Sequence, residues 1–202
     1  MLNVANCRRV AVVSCLFLAG CGESTSVPPG EQYSARFDQF FAIDDLNIPA
    51  NYTPESAMPS SGAVTYTGVG YVFYSDNGQQ SDLLGDANVR ANFGTAAMTG
   101  TLSNFVGGPL IGTSVEDIAV FKGSITITGE IGTVTAGCNA CFAGQLSGSL
   151  TGQGDTIQMN STLLGDFYGP GYERIGGFTP NGNTVLVNGV VSNGGVTVVA
   201  ER

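Results

Sequence analysis

The chain is 202 residues long, which is enough for one domain with a substantial core and short for two. Charged residues make up only 11% of it, Gly occurs 30 times, and there is neither His nor Trp. This composition is typical of an all-β secreted domain rather than of a helical or nucleotide-binding one. Without His, nucleophile–base pairs of the Ser-His and Cys-His kind are excluded.

The N-terminus has the pattern of an export signal. The basic pair Arg8-Arg9 precedes an apolar run of about nine residues, which is too short to span a bilayer and leads into Leu-Ala-Gly-Cys, ending at Cys21. These four residues resemble the lipobox of bacterial lipoproteins. The alternative is an ordinary secretory signal followed by an incidental Cys. The lipoprotein interpretation predicts that residues 1–20 are a signal peptide.

The resemblance to the lipobox implies a lipid anchor. In lipoproteins the chain is cleaved before the Cys, whose thiol and new amine are acylated, and several acyl chains on one residue make a stable anchor. Cys21 is therefore the predicted lipidation site, and residues 21–32 are a predicted flexible linker. The next residue is Gly22 and not an Asp, which by resemblance to known sorting patterns favours the outer membrane. We predict a lipid-anchored protein of the outer membrane of a Gram-negative bacterium. The sequence leaves two alternatives for the side on which it is displayed, the cell surface and the periplasmic face.

Acidic residues outnumber basic ones. The formal net charge is −9, and removal of the signal with its Arg pair makes the mature chain more acidic still. Such a chain is a poor partner for nucleic acids and for anionic membrane surfaces. Three carboxylate pairs fall at the ends of predicted segments, where caps and solvated turns are the ordinary explanation: Asp44 with Asp45, Asp82 with Asp86, and Glu116 with Asp117. We predict no catalytic residues, no metal site, no cofactor and no enzymatic activity.

Two cysteines remain in the mature chain besides the lipidated one. They form a C-x-x-C sequence at Cys138 and Cys141. A zinc site would need further Cys or His ligands, and a thioredoxin motif would need a βαβ context. Because the export route is oxidising, we predict a short-loop structural disulfide between these two residues.

Residues 33–62 precede the main domain. Tyr33, Phe37, Phe40 and Phe41 recur near helical spacing and predict one short amphipathic helix. The Pro-rich stretch that follows has no periodicity and is predicted to be extended chain.

From Ala63 onward apolar residues alternate with polar ones, which predicts antiparallel strands with one buried and one wet face. The clearest runs are 64–74, 87–93, 125–131 and 185–191. Turn signals separate the runs at Asp76-Asn77-Gly78, Gly107-Gly108-Pro109, 152–155, 181–183 and 193–195.

Residues 63–202 are predicted to form an all-β, eight-stranded antiparallel up-and-down β-barrel. About eight strands without convincing helices fit a closed barrel better than a sandwich. Gly interrupts the apolar face of several strands, which indicates sharp coiling or close approach across a small barrel. A transmembrane barrel would carry aromatic girdles, whereas this chain has no Trp and its tyrosines are scattered.

Three stretches resemble the β-barrel domains of the transferrin-binding protein B family. "GDFYGPGYERIGGF" (165–178) is similar to the family sequence F-Y-G-P-x-x-E-E-x-G-G-x-F, with Arg174 in place of the second Glu and Phe178 directly after the Gly pair. "MPSSGAVTYTGVG" (58–70) and "ANVRANFGTAAMTGTLSNF" (87–105) resemble the barrel entry and a family hairpin. The resemblance implies an eight-stranded barrel, with residues 33–62 as a vestigial handle, that binds a host protein or nutrient.

The 165–178 stretch is interpreted as a structural signature of the barrel. We expect a strand to end at Phe167 or Tyr168, a tight crossing, and a new strand from about Ile175. We also expect one of Glu173 and Arg174 to face the barrel interior, since neighbouring strand residues point to opposite faces. The expected signature residues are Phe167, Tyr168, Gly169, Pro170, Glu173, Gly176 and Gly177, with Phe178 as a core plug.

Three hypotheses for function follow. In the first, the barrel binds a macromolecule or nutrient through its loops, with 75–82, 106–116 and 137–142 as candidates. In the second, it captures haem or another hydrophobic molecule, with candidate haem ligands Tyr71, Tyr74 and Met98 in place of the missing His. In the third, it is a structural envelope lipoprotein without a soluble ligand.

Overall fold

The computed structural model describes residues 27–112, 114–132, 140–180 and 185–202. Within them lie one α-helix, two short 3-10 turns and eleven strands. The helix is α1 (Pro29–Asp44), and the 3-10 turns are Pro49–Asn51 and Glu55–Ala57. The strands are β1 (Ala63–Asp76), β2 (Gln79–Asn92), β3 (Ala97–Ile111), β4 (Ser114–Val115), β5 (Ala119–Ile131), β6 (Cys141–Gly152), β7 (Asp155–Tyr168), β8 (Arg174–Phe178), β9 (Val185–Val187), β10 (Val190–Ser192) and β11 (Gly194–Glu201).

The strands close into a barrel in which every neighbouring pair is antiparallel. β1, β2, β3, β5, β6 and β7 follow one another around the wall. β8 and β9 pair with two successive parts of β7, and β8 pairs with β11, which pairs with β1. Since β8 with β9, and β10 with β11, each fill one strand position, the ring has eight positions. The predicted eight-stranded up-and-down barrel is confirmed, and among the strands of the described ranges its closure leaves no long unpaired edge.

The period-two pattern places side chains on the faces that the sequence predicts. In β1, Tyr66, Val72 and Tyr74 are fully buried inside the barrel, whereas Val69 and Tyr71 belong to a second cluster on the outside. This inside and outside alternation is the normal geometry of a strand in a small barrel.

Turn chemistry is right at some positions and wrong at two. Asn77 and Gly78 both have positive φ, 49° and 83°, as a two-residue hairpin turn requires. The predicted turn at Gly107-Gly108-Pro109 is wrong, because these residues lie inside β3. A Cβ on Gly107 would collide with the backbone of β2 at Asp82, so this glycine permits close strand approach and not a turn. The predicted turn at 193–195 is wrong, because β10 and β11 fill one strand position and Gly194 already lies in β11. The predicted turn at 181–183 lies outside the described residues.

Helix α1 packs on the outer surface of the barrel. Phe40 and Ile43 are buried against Val69, Leu84 and Val199 on the outer faces of β1, β2 and β11. The helix begins at Pro29, within the stretch assigned to the linker, because Pro is favoured in the first turn of a helix. In the part of the chain that the structure describes, no helix has the length and apolar character needed to cross a membrane.

The segment between α1 and β1 is held across one end of the barrel. The Thr53 amide donates to the Phe167 carbonyl at 2.9 Å, and the Gly169 amide donates to the Asn51 carbonyl at 2.7 Å. The Thr53 hydroxyl donates to the Gly169 carbonyl at 2.7 Å. The segment therefore fixes the turn between β7 and β8.

Candidate protein-binding surface

Two of the three predicted loops meet at one end of the barrel. The 75–82 stretch contains the β1–β2 turn, and the 106–116 stretch contains the end of β3 and β4. They are joined by the pairing of Ser81 with Pro109 and by a hydrogen bond of 2.5 Å from Gln79 Nε2 to the Leu110 carbonyl. Of the third stretch, 137–142, residues 140–142 lie at the opposite end of the barrel, where β6 begins, and 137–139 lie outside the described residues.

The N-terminal half of α1 lies beside the two loops and forms a groove with them. We call this the α1 groove. It has a volume of about 280 Å³ and continues into a cavity of about 160 Å³ that shares Tyr33, Phe37 and Asp82 with it. The lining residues of the α1 groove are Tyr33, Ser34, Phe37, Asp38, Asp82, Leu110 and Val115.

Aromatic side chains form a row on the solvent side of the α1 groove. The ring centroids of Tyr33 and Phe37 are 6.2 Å apart, and those of Phe37 and Phe41 are 4.6 Å apart. Phe37 and Phe41 are each 45% exposed. Adjacent apolar rings that remain in water on a folded domain are typical of an interaction surface.

The exposure of these rings was not expected from the helical pattern. The spacing predicts one apolar face for Phe37, Phe40 and Phe41, but only Phe40 is buried against the barrel. The helix docks with Phe40 and Ile43 against the barrel, and this rotation about its axis turns Phe37 and Phe41 toward water. The spacing of the aromatic residues does not determine that rotation.

A buried carboxylate lies at the base of the groove. Asp82 is only 9% exposed and accepts a hydrogen bond of 3.0 Å from Gln80 Nε2. Burial, and after it the charge of Asp82, raise the pKa of Tyr33 to about 12. Burial and then Asp82 also raise the pKa of Tyr71 above its ordinary value. The groove thus presents apolar rings above a negative charge, which suits contact with protein side chains.

An ion pair holds the helix against the barrel beside the groove. Arg36 Nε donates to Asp86 Oδ1 at 2.8 Å, and Asn104 Nδ2 donates to Asp86 Oδ2 at 2.8 Å. Burial raises the pKa of Asp86, but the hydrogen bonds from Arg36 and Asn104 outweigh it and hold the pKa below the usual Asp value. Asp82 and Asp86, which are close in the sequence, therefore have different structural roles. Asp82 lines the α1 groove, and Asp86 pairs with Arg36.

The candidate haem ligands do not converge. Tyr74 and Met98 are fully buried in the core, whereas Tyr71 lies on the outer face under α1. The barrel interior is filled with large, fully buried side chains. Among them are Tyr66, Tyr74, Phe105, Phe121, Phe142 and Phe167. A filled interior gives the small-ligand hypothesis no support.

The 165–178 stretch forms a strand end, a turn and a new strand, as expected. β7 ends at Tyr168 and β8 begins at Arg174. Phe167 is fully buried, with its ring centroid 5.8 Å from that of Phe142. The expectation that Phe178 plugs the core is wrong, because this side chain is 55% exposed. Strand alternation is the reason: Ile175 and the residue two further along face inward, so Phe178 faces out.

The charged pair in this stretch stabilises the turn. The Gly171 amide donates to Glu173 Oε2 at 3.0 Å, and Arg174 Nε donates to Asn47 Oδ1 at 3.3 Å. Neither side chain enters the barrel interior, so the expectation that one of them does is wrong. The guanidinium of Arg202 lies 4.4 Å above the ring of Tyr172 and completes the same corner.

Part of the cysteine prediction falls outside the described residues. Cys141 is buried at the start of β6 and is disulfide-bonded. Cys21 and Cys138 lie outside the described residues, so the lipidation site and the Cys138–Cys141 pairing remain predictions. Among the described residues, no three His, Cys, Asp or Glu side chains are grouped in a way that could hold a metal ion.

Solved structures that the chain resembles include transferrin binding proteins. A double mutant of the vaccine antigen transferrin binding protein B from Haemophilus parasuis Hp5 matches with a TM-score of 0.50 at 16% identity, covering 74% of this chain and 27% of that one. Isotype 1 transferrin binding protein B from serogroup B Neisseria meningitidis matches at 20% identity with a TM-score of 0.46, covering 75% and 27%. The chain thus spans about a quarter of the length of these proteins.

Sequence comparison gives the family directly. No curated protein matches the chain. The family model for the C-lobe and N-lobe beta barrels of Tf-binding protein B matches residues 58–194, which is more than half of the chain and contains strands β1 to β10. This protein therefore belongs to the family of the transferrin-binding protein B β-barrels.

Proposed function

We propose that this protein is a lipid-anchored outer-membrane lipoprotein that binds a host protein through the α1 groove. The observation that carries the proposal is the aromatic row of Tyr33, Phe37 and Phe41 above the buried Asp82, at the barrel end where two loops meet. In this row both Phe rings are exposed to solvent. Membership of a family whose solved relatives are named as transferrin binding proteins supports a protein ligand. Since the chain spans only about a quarter of those relatives, transferrin itself is not carried over.

The anchor places the barrel at a distance from the membrane. Lipid on Cys21 and the short linker after it would attach the chain next to Pro29, where α1 begins. Because α1 packs along the barrel wall, the anchor would be joined to the barrel through a helix that is fixed on it. Substitution of Cys21 by Ser tests the anchor. The expected result is loss of radiolabelled palmitate incorporation and release of the protein from the membrane fraction, whereas incorporation that continues would contradict the lipidation site.

The binding surface is tested with host serum. The purified protein is immobilised, bound serum proteins are identified by mass spectrometry, and the affinity of each is measured for variants. Phe37→Ser with Phe41→Ser should weaken the specific interaction by roughly 30-fold or more, because truncating an aromatic hot spot costs about 2 kcal/mol. Both rings are exposed, so these changes leave the core intact.

The matched control is Val191→Ser. Val191 is also solvent-exposed, at 65%, but it lies on β10, away from α1, and its substitution should leave the affinity unchanged. A serum ligand whose affinity responds to Val191→Ser and not to the Phe37 and Phe41 changes would overturn the assignment to the α1 groove. Labelling of intact cells with a membrane-impermeant reagent tests surface exposure separately; a protein labelled only after lysis would contradict it.

A further inference from the structure

A second cleft lies at the other end of α1, away from the α1 groove. It has a volume of about 230 Å³ and is formed where the C-terminal end of the helix and the following segment face the outer sides of β7, β8 and β11. We call it the β7–β8 cleft. Its lining residues include Asp44, Tyr52, Asp166, Tyr168, Gly176 and Phe178.

Two carboxylates in the β7–β8 cleft lack partners among the described residues. Asp166 points outward from β7, and burial alone raises the pKa of its carboxyl. Burial, and then the adjacent Asp45, raise the pKa of Asp44. By contrast, Asp86 on the same outer surface is paired with Arg36 at 2.8 Å. Asp44 is exposed and Asp166 is partly buried. A partly buried carboxylate such as that of Asp166 is unfavourable without a counter-ion unless something else supplies the positive charge.

The end of α1 adds to the negative potential of the cleft. The last turn of the helix contains no basic residue, and Asp44 and Asp45 stand at its C-terminus. The helix dipole is negative at this end, so an acidic pair there breaks the usual placement of charge. Local violations of this kind, without compensation from the chain, concentrate at functional sites.

Aromatic rings form the wall of the cleft. The ring centroids of Tyr52 and Tyr168 are 5.1 Å apart, and Tyr52 is fixed by its β-bridge to Tyr168. Phe178 is exposed beside them. Rings of Tyr and Phe attract an organic cation through their electron-rich faces, and nearby carboxylates neutralise its charge.

Asn47 and Tyr168 pack closely over Gly176 beneath the cleft. A Cβ at this position would lie 3.0 Å from Asn47 Nδ2 and 3.1 Å from Tyr168 Cε2, so a larger side chain would displace these two lining residues. A hard metal ion is a poorer fit, because Ca²⁺ needs six or more oxygen ligands. An ammonium or guanidinium group on an apolar carbon chain matches both the rings and the carboxylates.

We propose that the β7–β8 cleft binds an organic cation of the ammonium or guanidinium class. The cation is held between the Asp44 and Asp166 carboxylates and lies against the rings of Tyr52 and Tyr168. The cleft and the α1 groove share no lining residue, so this proposal stands independently of the proposed function. The source of the cation is a Lys or Arg side chain or a free amine.

The test uses small probes and backbone amide NMR of the purified protein. n-Butylammonium and n-butylguanidinium should each shift the amide signals of Tyr52, Asp166 and Gly176, whereas uncharged 1-butanol should not. Asp166→Asn should weaken the binding of either cation by about tenfold, as expected for the loss of one charge-assisted contact. Asp38→Asn, which removes a carboxylate from the α1 groove instead, should leave the affinity unchanged.

Two arms identify the source of the cation. Tighter binding of acetyl-lysine methylamide than of putrescine assigns the cation to a protein side chain, and the reverse order assigns it to a free amine; both support the proposal. The proposal is overturned if charged and uncharged probes give the same shifts, or if Asp166→Asn leaves the affinity of the cations unchanged while the other amide signals confirm that the variant is folded.

Discussion

The same strands form the inner and outer faces of the barrel wall. The two faces differ in how completely their aromatic side chains are buried and their charged groups are paired. Inside, Tyr66, Phe105, Phe142 and Phe167 are fully buried against one another. Outside, α1 covers part of the wall but leaves Phe37, Phe41 and Phe178 in water. Two carboxylates there, Asp44 and Asp166, have no counter-ion within the described part of the chain.

This difference separates stability from function. A face on which every large side chain is packed stabilises the fold and presents no accessible side chain that a ligand could contact. A face with exposed rings and unpaired carboxylates is less stable than it could be, as is common at binding sites. Substitutions on the inner face should therefore change stability, and substitutions on the outer face should change binding.

The largest expected effect comes from Phe167→Ala on the inner face. This ring contacts Tyr66, Phe93 and Phe142, with centroid separations of 6.1, 5.7 and 5.8 Å. Its removal leaves a cavity that the closed barrel cannot fill by collapse, so the free energy of unfolding should fall by about 3–5 kcal/mol in a urea titration. A loss below about 1 kcal/mol would mean that the interior is not tightly packed.

Substitutions at two adjacent glycines allow a direct comparison of the inner and outer faces of the barrel wall. A Cβ on Gly177 would lie 3.1 Å from Phe142 Cζ and 3.3 Å from Leu163 Cδ1 in the core, whereas one on Gly176 would meet Asn47 and Tyr168 outside. Gly177→Val should therefore cost about 1–3 kcal/mol by overpacking.

Gly176→Val serves as the matched variant. It should lower the free energy of unfolding less than Gly177→Val does, because the Asn47 side chain can shift. It should also weaken butylammonium binding, because it displaces Asn47 and Tyr168, which line the β7–β8 cleft. The reverse order of the two stabilities, measured by denaturant unfolding, would contradict the assignment of faces.

The ion pair between α1 and the barrel should have a smaller effect. Arg36→Met keeps the apolar stem but removes the charge, and the free energy of unfolding should fall by about 0.5–1 kcal/mol because Asp86 is half exposed. The folded-state pKa of Asp86 is lowered, so its contribution is present above the unfolded pKa and is lost as the pH falls through the folded pKa. Wild type and variant should converge at acid pH; a constant difference between pH 7 and pH 2 would show that packing, and not charge, is lost.

The smallest effect, and one of opposite sign, is expected for Asp166→Asn. The folded-state pKa of Asp166 is raised by burial, so the ionised carboxylate is unfavourable above that pKa, and the penalty disappears as the pH falls below the unfolded value. The variant should be more stable than wild type by a few tenths of a kcal/mol at neutral pH. Thermal unfolding at neutral and acid pH measures this, and a destabilised variant at neutral pH would indicate a structural partner for the carboxylate.

The barrel was predictable from the sequence because strand alternation and turn residues are local signals. Tyr66, Val72 and Tyr74 lie inside as their period requires, and Asn77-Gly78 forms the turn that its residue types favour. The turn predicted at Gly107-Gly108 was wrong, because Gly also serves close strand approach, which depends on a neighbouring strand.

The binding surfaces could be predicted only in part. The loops at 75–82 and 106–116 were identified as candidates, but their contact with α1 depends on how the helix docks, which local spacing does not determine. Asp166 and Tyr52 are more than 100 residues apart in the sequence and meet only because the segment after α1 is held against β7. Their proximity is a consequence of tertiary structure.

Site-specific photo-crosslinking on intact cells tests most directly whether the outer face beside α1 is the binding face. A photoreactive benzoylphenylalanine is placed at Phe37 and, as the control, at Gln145, which is exposed on β6 on the other side of the barrel. If the α1 groove binds the host protein, we expect a discrete adduct with that protein from position 37 and none from position 145. Adducts from position 145 with none from position 37 would contradict it.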